Sequence, residues 1–183
     1  MSLTFLLGGA RSGKSSLAVR WGIGHDGPVR FVATCPRSAG DDDLAVRIDR
    51  HIADRPAWPT DEEAHDLMGA LARAGDGDLV IVDCLSLWVS NLMLRGDDTE
   101  AIVHAAAAVA VGAAHRPGPT IVVSNETGMS VHPETDLGRT YRDLLGRVNQ
   151  VVAAEASTAL LVVAGRAIDL HSPPPALIGG PEP

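Results

Sequence analysis

Aromatic side chains are scarce: two Phe, three Trp and one Tyr serve a chain of 183 residues. The core must therefore be built from Ala, Val, Leu and Ile. Cysteine is nearly absent. Cys35 and Cys84 cannot form a disulfide framework and fit a reducing compartment, so a cytoplasmic location is expected. No apolar run reaches the roughly 18 residues needed to span a bilayer, and no membrane span is expected. The first ten residues lack a basic flank and run straight into glycines, which reads as a strand and not as a signal peptide. Positive charge is also short. Fifteen Lys plus Arg against 23 Asp plus Glu leave a net charge of −8, which argues against a general nucleic-acid binder. Lysine is scarcest of all: Lys14 is the only one, and every other basic residue is Arg. What is present is an apolar content of 45%, enough for one ordinary core and too much for disorder.

The pattern along the chain alternates strand and helix. Short apolar runs at Leu3 to Leu7, Val29 to Thr34, Leu79 to Cys84, Thr120 to Ser124 and Ala159 to Ala164 read as buried parallel strands. Helices are expected over Ser12 to Gly22, Asp41 to Asp54, Asp61 to Ala74, Leu85 to Leu94, Thr99 to His115 and most of Glu134 to Ala156. A short strand near Trp58 and an antiparallel edge strand at Ala167 to Leu170 complete the reading. This implies an α/β fold with a mostly parallel central sheet flanked by helices. One domain is expected over residues 1–171, followed by a loose Pro/Gly-rich tail over 172–183.

Gly8-Gly9-Ala10-Arg11-Ser12-Gly13-Lys14-Ser15 fits the phosphate-binding pattern G-x-x-x-x-G-K-[ST], between a predicted strand and a predicted helix. Glycines let backbone N–H groups curl around phosphate oxygens, and the helix start adds a positive dipole. Lys14 supplies a point charge for the β- and γ-phosphates, and Ser15 a hydroxyl for Mg²⁺. Asp83 ends a predicted strand, where such folds hold Mg²⁺ through water; the competing reading is a cap for the helix that follows. Glu126 follows the next strand, at the sheet end where open parallel sheets carry their sites. It could orient metal-bound water or accept a proton. Arg47, His51 and Arg55 share one face of a predicted helix, at i, i+4 and i+8. Arginines flanking an imidazole favour a bound anion and a neutral ring, which is what a histidine nucleophile toward phosphorus needs; a solvated polar face is the plainer reading. Arg139, Arg142 and Arg147 could clamp phosphates or simply face solvent. The other histidines show no zinc-ligand spacing.

In order along the chain, the phosphate loop is followed by Arg47-Ile48-x-x-His51, Arg55-Pro56 and Trp58-x-Thr60-x-Glu62. Next come Asp83-Cys84-Leu85-Ser86-Leu87-Trp88-Val89-Ser90-Asn91-Leu92 and Ser124-Asn125-Glu126-x-Gly128-Met129. Leu137-Gly138-Arg139 and Gly146-Arg147-Val148-Asn149-Gln150 close the series. This succession resembles the bifunctional adenosylcobinamide kinase / adenosylcobinamide-phosphate guanylyltransferase family of cobalamin biosynthesis, from about Thr4 to Leu170. The resemblance implies a P-loop NTPase fold and two reactions. A nucleoside triphosphate, GTP or alternatively ATP, phosphorylates the aminopropanol hydroxyl of adenosylcobinamide. GMP is then transferred from GTP to that phosphate through a GMP–histidine intermediate, and the family histidine falls on His51. The family's GTP contacts carry over to the phosphate loop, to Ala33, Thr34 and Cys35, to Ile52, Ala53, Asp54 and Arg55, and to Glu62 and Asp83. The resemblance also implies Mg²⁺ and a homotrimer, with a corrinoid and GTP as small-molecule partners. Two other readings compete: a single-function P-loop kinase and a non-catalytic GTP switch. The N-K-x-D element by which switch GTPases read guanine is missing, because the only lysine sits in the phosphate loop.

Overall fold

The computed structural model describes residues 2–35, 53 and 55–172. The predicted helix Asp41 to Asp54, with His51, Ile52 and Asp54, and the tail from 173 onward lie outside the described residues, as does Met1.

Seven strands form one sheet in the order β3-β2-β4-β5-β1-β6-β7. They are β1 (Leu3–Leu7), β2 (Val29–Ala33), β3 (Thr60–Glu62), β4 (Leu79–Asp83), β5 (Thr120–Val123), β6 (Thr158–Val163) and β7 (Arg166–Asp169). All pairings are parallel except β6–β7, the antiparallel edge hairpin expected from the sequence. The helices are α1 (Lys14–Ile23), α2 (Leu67–Ala72), α3 (Leu85–Arg95), α4 (Thr99–His115) and α5 (Asp136–Glu155).

Alternation along the strands sorts two apolar layers. Leu3, Phe5, Leu7, Val80, Val82 and Val122 face the helices α2 to α5 and join Trp88, Ile102, Ala106 and Leu145 in one buried cluster. Leu6, Phe31, Ile81, Ile121 and Val123 face the other way, onto Ala18 of α1 and Trp58. Because both sheet faces are covered, the central strands read as unbroken apolar runs.

The stretch before α2 departs from the expected helix over Asp61 to Ala74. Thr60–Glu62 instead pairs with β2, and the helix starts only at Leu67. The Glu63 carboxylate accepts from the backbone N–H groups of His65 and Asp66, forming a turn. Asp66 then caps the helix by accepting from Gly69 N at 2.8 Å. A β-pairing edge and a side-chain turn thus displace one helical turn that composition alone allowed.

Candidate active site

The carboxyl ends of β1, β4 and β5 converge on one edge of the sheet. Register aligns Ala33 with Asp83 and with Glu62, and Asp83 with Val123. Gly8-to-Gly13, Asp83 and Glu126 therefore emerge side by side. Open parallel sheets bind ligands at this edge.

The phosphate loop is built by close backbone approach. A Cβ on Gly8 would lie 2.3 Å from the Val162 carbonyl oxygen, and Gly13 adopts φ 100° against Gly165. Helix α1 starts at Gly13 with no side-chain cap and no acid in its first turn, so its N–H groups are open to an anion. Lys14 is 7% exposed, and its Nζ donates to the Gly9 carbonyl oxygen at 3.0 Å. Burial pulls its pKa below the usual lysine value, while Cys84 and Asp83 act in the opposite sense. Ser12 Oγ is buried without a hydrogen-bond partner. A buried hydroxyl and an ammonium that satisfies itself on its own loop suit a phosphate that would replace these weak arrangements.

Asp83 is not the cap of α3: the N-cap position is Cys84, and no side chain caps that helix. Asp83 therefore stands one residue before the N-cap position. Burial pushes the Cys84 thiol up to about 11, with Asp83 adding to the shift, so it stays protonated near neutral pH and is a poor nucleophile. Arg55 stacks over the Phe31 ring at 3.7 Å from its centroid. Burial lowers its pKa, and Asp83 acts to raise it. Its Nη1 is buried without a hydrogen-bond partner. The chain that has just passed His51 therefore returns to the β2 end of the sheet, within electrostatic reach of Asp83.

Glu126 N donates to the Gly8 carbonyl oxygen at 3.0 Å, which ties its loop to the phosphate loop. Its own Oε1 accepts from Gly128 N. Of the late arginines, Arg147 makes a two-pronged pair with Glu100 at 2.7 and 2.9 Å, joining α5 to α4. Arg139 donates to the carbonyl oxygens of Pro133 and Glu134 and pairs with Asp136. Arg142 bonds His132 at 2.8 Å and pairs with Asp143. All three are engaged in local contacts.

Behind the site runs a polar chain in which only Thr34 carried an expected role, as a GTP contact implied by the family resemblance. Thr34, fully buried, donates to the Cys84 carbonyl oxygen at 2.7 Å and accepts from Cys84 N at 2.8 Å. Its own carbonyl oxygen accepts from Asn91. The Cys84 thiol meets Ser86 Oγ at 3.0 Å, and that oxygen accepts from Asn125. Asn149 donates to the Asn125 carbonyl oxygen at 3.0 Å and accepts from Ser124 at 2.7 Å. The Tyr141 hydroxyl donates to the Ser86 carbonyl oxygen. These bonds lock the ends of β2, β4 and β5 to α3 and α5. The available sequence signal was an Asn among the buried apolar positions of α5, beside Leu144, Leu145, Val148 and Val152. Asn149→Ala is expected to cost about 1–3 kcal/mol, because Ser124 Oγ is left buried and unpaired. Urea unfolding of the variant beside wild type measures it.

Residues 4–170 match the model of the cobinamide kinase / cobinamide phosphate guanyltransferase family. The chain belongs to this family. It is 40% identical over 171 residues to the bifunctional adenosylcobalamin biosynthesis protein CobP of Pseudomonas aeruginosa, covering 92% of this chain and 97% of that one. It is 37% identical over 177 residues to the corresponding protein CobU of Salmonella typhimurium, covering 89% and 96%. In fold it is similar to a type III secretion system ATPase, with a TM-score of 0.57 at 11% identity, over 87% of this chain and half of that one. That likeness speaks to the P-loop ATPase-like fold alone. The activity is that of a bifunctional adenosylcobinamide kinase and cobinamide phosphate guanylyltransferase of cobalamin biosynthesis. No described helix is long and apolar enough to cross a membrane.

Proposed function

We propose that one nucleotide site at this sheet edge serves both reactions, with His51 as the carrier of GMP from GTP to the corrinoid phosphate in the second. The observation that carries the reading is the convergence of Lys14, Asp83 and Arg55: the first is the sole lysine, and Asp83 acts electrostatically on both cations.

In the kinase step, the loop N–H groups and Lys14 hold the triphosphate, and Glu126 orients the corrinoid hydroxyl and takes its proton. Attack of that oxygen on the γ-phosphorus breaks its bond to the β–γ bridging oxygen, and the nucleoside diphosphate leaves. In the second step His51 attacks the α-phosphorus of GTP and pyrophosphate leaves. The corrinoid phosphate then displaces the histidine and takes the GMP. Arg55, with a buried N–H to spare, supports phosphate oxygens beside His51. Ala33, Thr34, Cys35, Ile52, Ala53, Asp54 and Glu62 complete the GTP contacts in this reading. The nucleotide is GTP, with ATP an alternative donor for the kinase step, and the working form is a cytoplasmic homotrimer.

Mg²⁺ fits the oxygen donors at hand. Among the described residues no cluster of three or more His, Cys, Asp or Glu could hold a metal by itself. A hydroxyl and one carboxylate, Ser15 and Asp83, suit an ion that keeps waters and shares substrate phosphates. When bound, the ion would neutralise developing charge on the phosphates. Asp83→Asn is expected to raise the Mg²⁺ concentration for half-maximal rate by about tenfold or more, with a smaller change in nucleotide affinity. Rate against Mg²⁺ concentration measures it, and an unchanged titration would remove Asp83 from the metal site.

The test of the whole reading is denaturing mass spectrometry after incubation with GTP and Mg²⁺. A mass increase of one GMP is expected; no increase would leave a kinase without the covalent step.

A further inference from the structure

We propose that the loop between β5 and α5, with Met129, Val131 and Leu137 at its surface, is the docking face for the corrin macrocycle. The inference rests on the kinase reading above, since it takes the γ-phosphate to lie over Lys14. The loop leaves the sheet at the site itself, because Glu126 N is bonded to the Gly8 carbonyl oxygen at 3.0 Å. An acceptor hydroxyl aligned with that phosphate puts the rest of the corrinoid alongside the same edge. The macrocycle cannot enter the cleft of about 510 Å³ among Gly22, Gly27, Pro28, Trp58 and Asp78 without leaving the site, because that cleft opens at the opposite end of β2 and β4.

The surface next to Glu126 is unusually apolar. Met129 is 78% exposed, Val131 91% and Leu137 64%. Met129 and Val131 on the connection and Leu137 in the first turn of α5 leave large apolar side chains in solvent beside the site, which suits an apolar partner. The connection is also held in shape. Ser130 Oγ donates to the Thr127 carbonyl oxygen, Thr135 caps α5 through Gly138 N, and Arg139 and Arg142 bond its later half. A pre-shaped apolar ledge loses little entropy when a rigid ring system settles on it. Charge agrees as well. The connection carries Glu126 and Glu134, while Asp136 is paired with Arg139; the two remaining carboxylates suit the cationic alkyl-cobalt(III) centre of such a ring.

The test is the double variant M129S/V131S, which alters two exposed side chains outside the nucleotide machinery. Corrinoid phosphorylation is followed with cobinamide varied and GTP saturating, then the reverse. Cobinamide binding is measured separately by equilibrium dialysis, and assembly mass by light scattering. The expected result is a roughly tenfold rise in KM and Kd for cobinamide, about 1.4 kcal/mol. The KM for GTP and the mass should match wild type. Unchanged cobinamide affinity would overturn the docking face. A changed mass would assign the ledge to contacts between copies of the chain, and would overturn it too. If wild type binds cobinamide but Lys14 proves dispensable for its phosphorylation, the kinase reading fails, and dialysis still decides the docking face.

Discussion

Lys14→Ala is expected to impair both activities, with each rate falling by about 100-fold or more. Lys14 is the sole lysine, lies buried in the phosphate loop and donates only to the loop's own Gly9 carbonyl oxygen among the described contacts. That bond is an internal placeholder: a phosphate oxygen is a charged acceptor and roughly doubles the strength of the interaction. Both reactions develop negative charge on a phosphate chain that ends at this ammonium, so both lose it together. Lys14→Arg should not restore either. A planar fork does not replace a compact ammonium in a loop so close-packed that a Cβ on Gly13 would lie 3.2 Å from Gly165 Cα. Cobinamide phosphorylation and GMP transfer, measured side by side on a variant with wild-type thermal unfolding, decide the matter. Near-normal turnover would refute the loop's role.

His51→Ala is expected to separate the two reactions. Guanylylation should disappear, while much of the kinase rate remains, because γ-transfer to a hydroxyl needs positioning and charge stabilisation and no nitrogen nucleophile. The support is the motif Arg47-Ile48-x-x-His51 in a chain that belongs to the guanylyltransferase family, together with Arg55 four residues on, packed on Phe31 and facing the field of Asp83. Labelled GTP with its label at the α-phosphate should mark wild type and leave His51→Ala unmarked. The wild-type adduct should be labile to acid and stable to base, as a phosphoramidate is. Label that survives the substitution, or maps to a different residue, would sink the assignment.

Local chemistry made the strands and most helices legible. Continuous β-branched runs such as Leu79 to Val82 leave no alternative to a doubly covered strand, and the Ala-rich helix stopped before Pro117 was read with its observed bounds. The miss at Asp61 to Ala74 came where identity is cheap to reinterpret. Thr60, Asp61 and Glu62 have no strong strand signal and become a strand because β2 offers an unpaired edge. The phosphate loop was readable because its function demands glycines at set spacing, whereas Asn91, Asn125 and Asn149 look like ordinary polar residues until their partners are known.

The sequence by itself determined the phosphate-loop motif, the alternating α/β order, the family and the place of the sole lysine within that motif, since each follows from residue types at short separations. Tertiary structure decided the rest. It placed the N-cap position of α3 at Cys84, one residue after Asp83, because the cap is a matter of backbone geometry. It paired Arg147 with Glu100, 47 positions away in sequence, a partner that no local spacing announces. It also joined Thr34, Cys84, Ser86, Asn125 and Asn149 into one hydrogen-bonded brace behind the site. Hydrogen bonds and ion pairs of this kind link residues that only the strand order β2-β4-β5 makes neighbours, and no local spacing encodes that order.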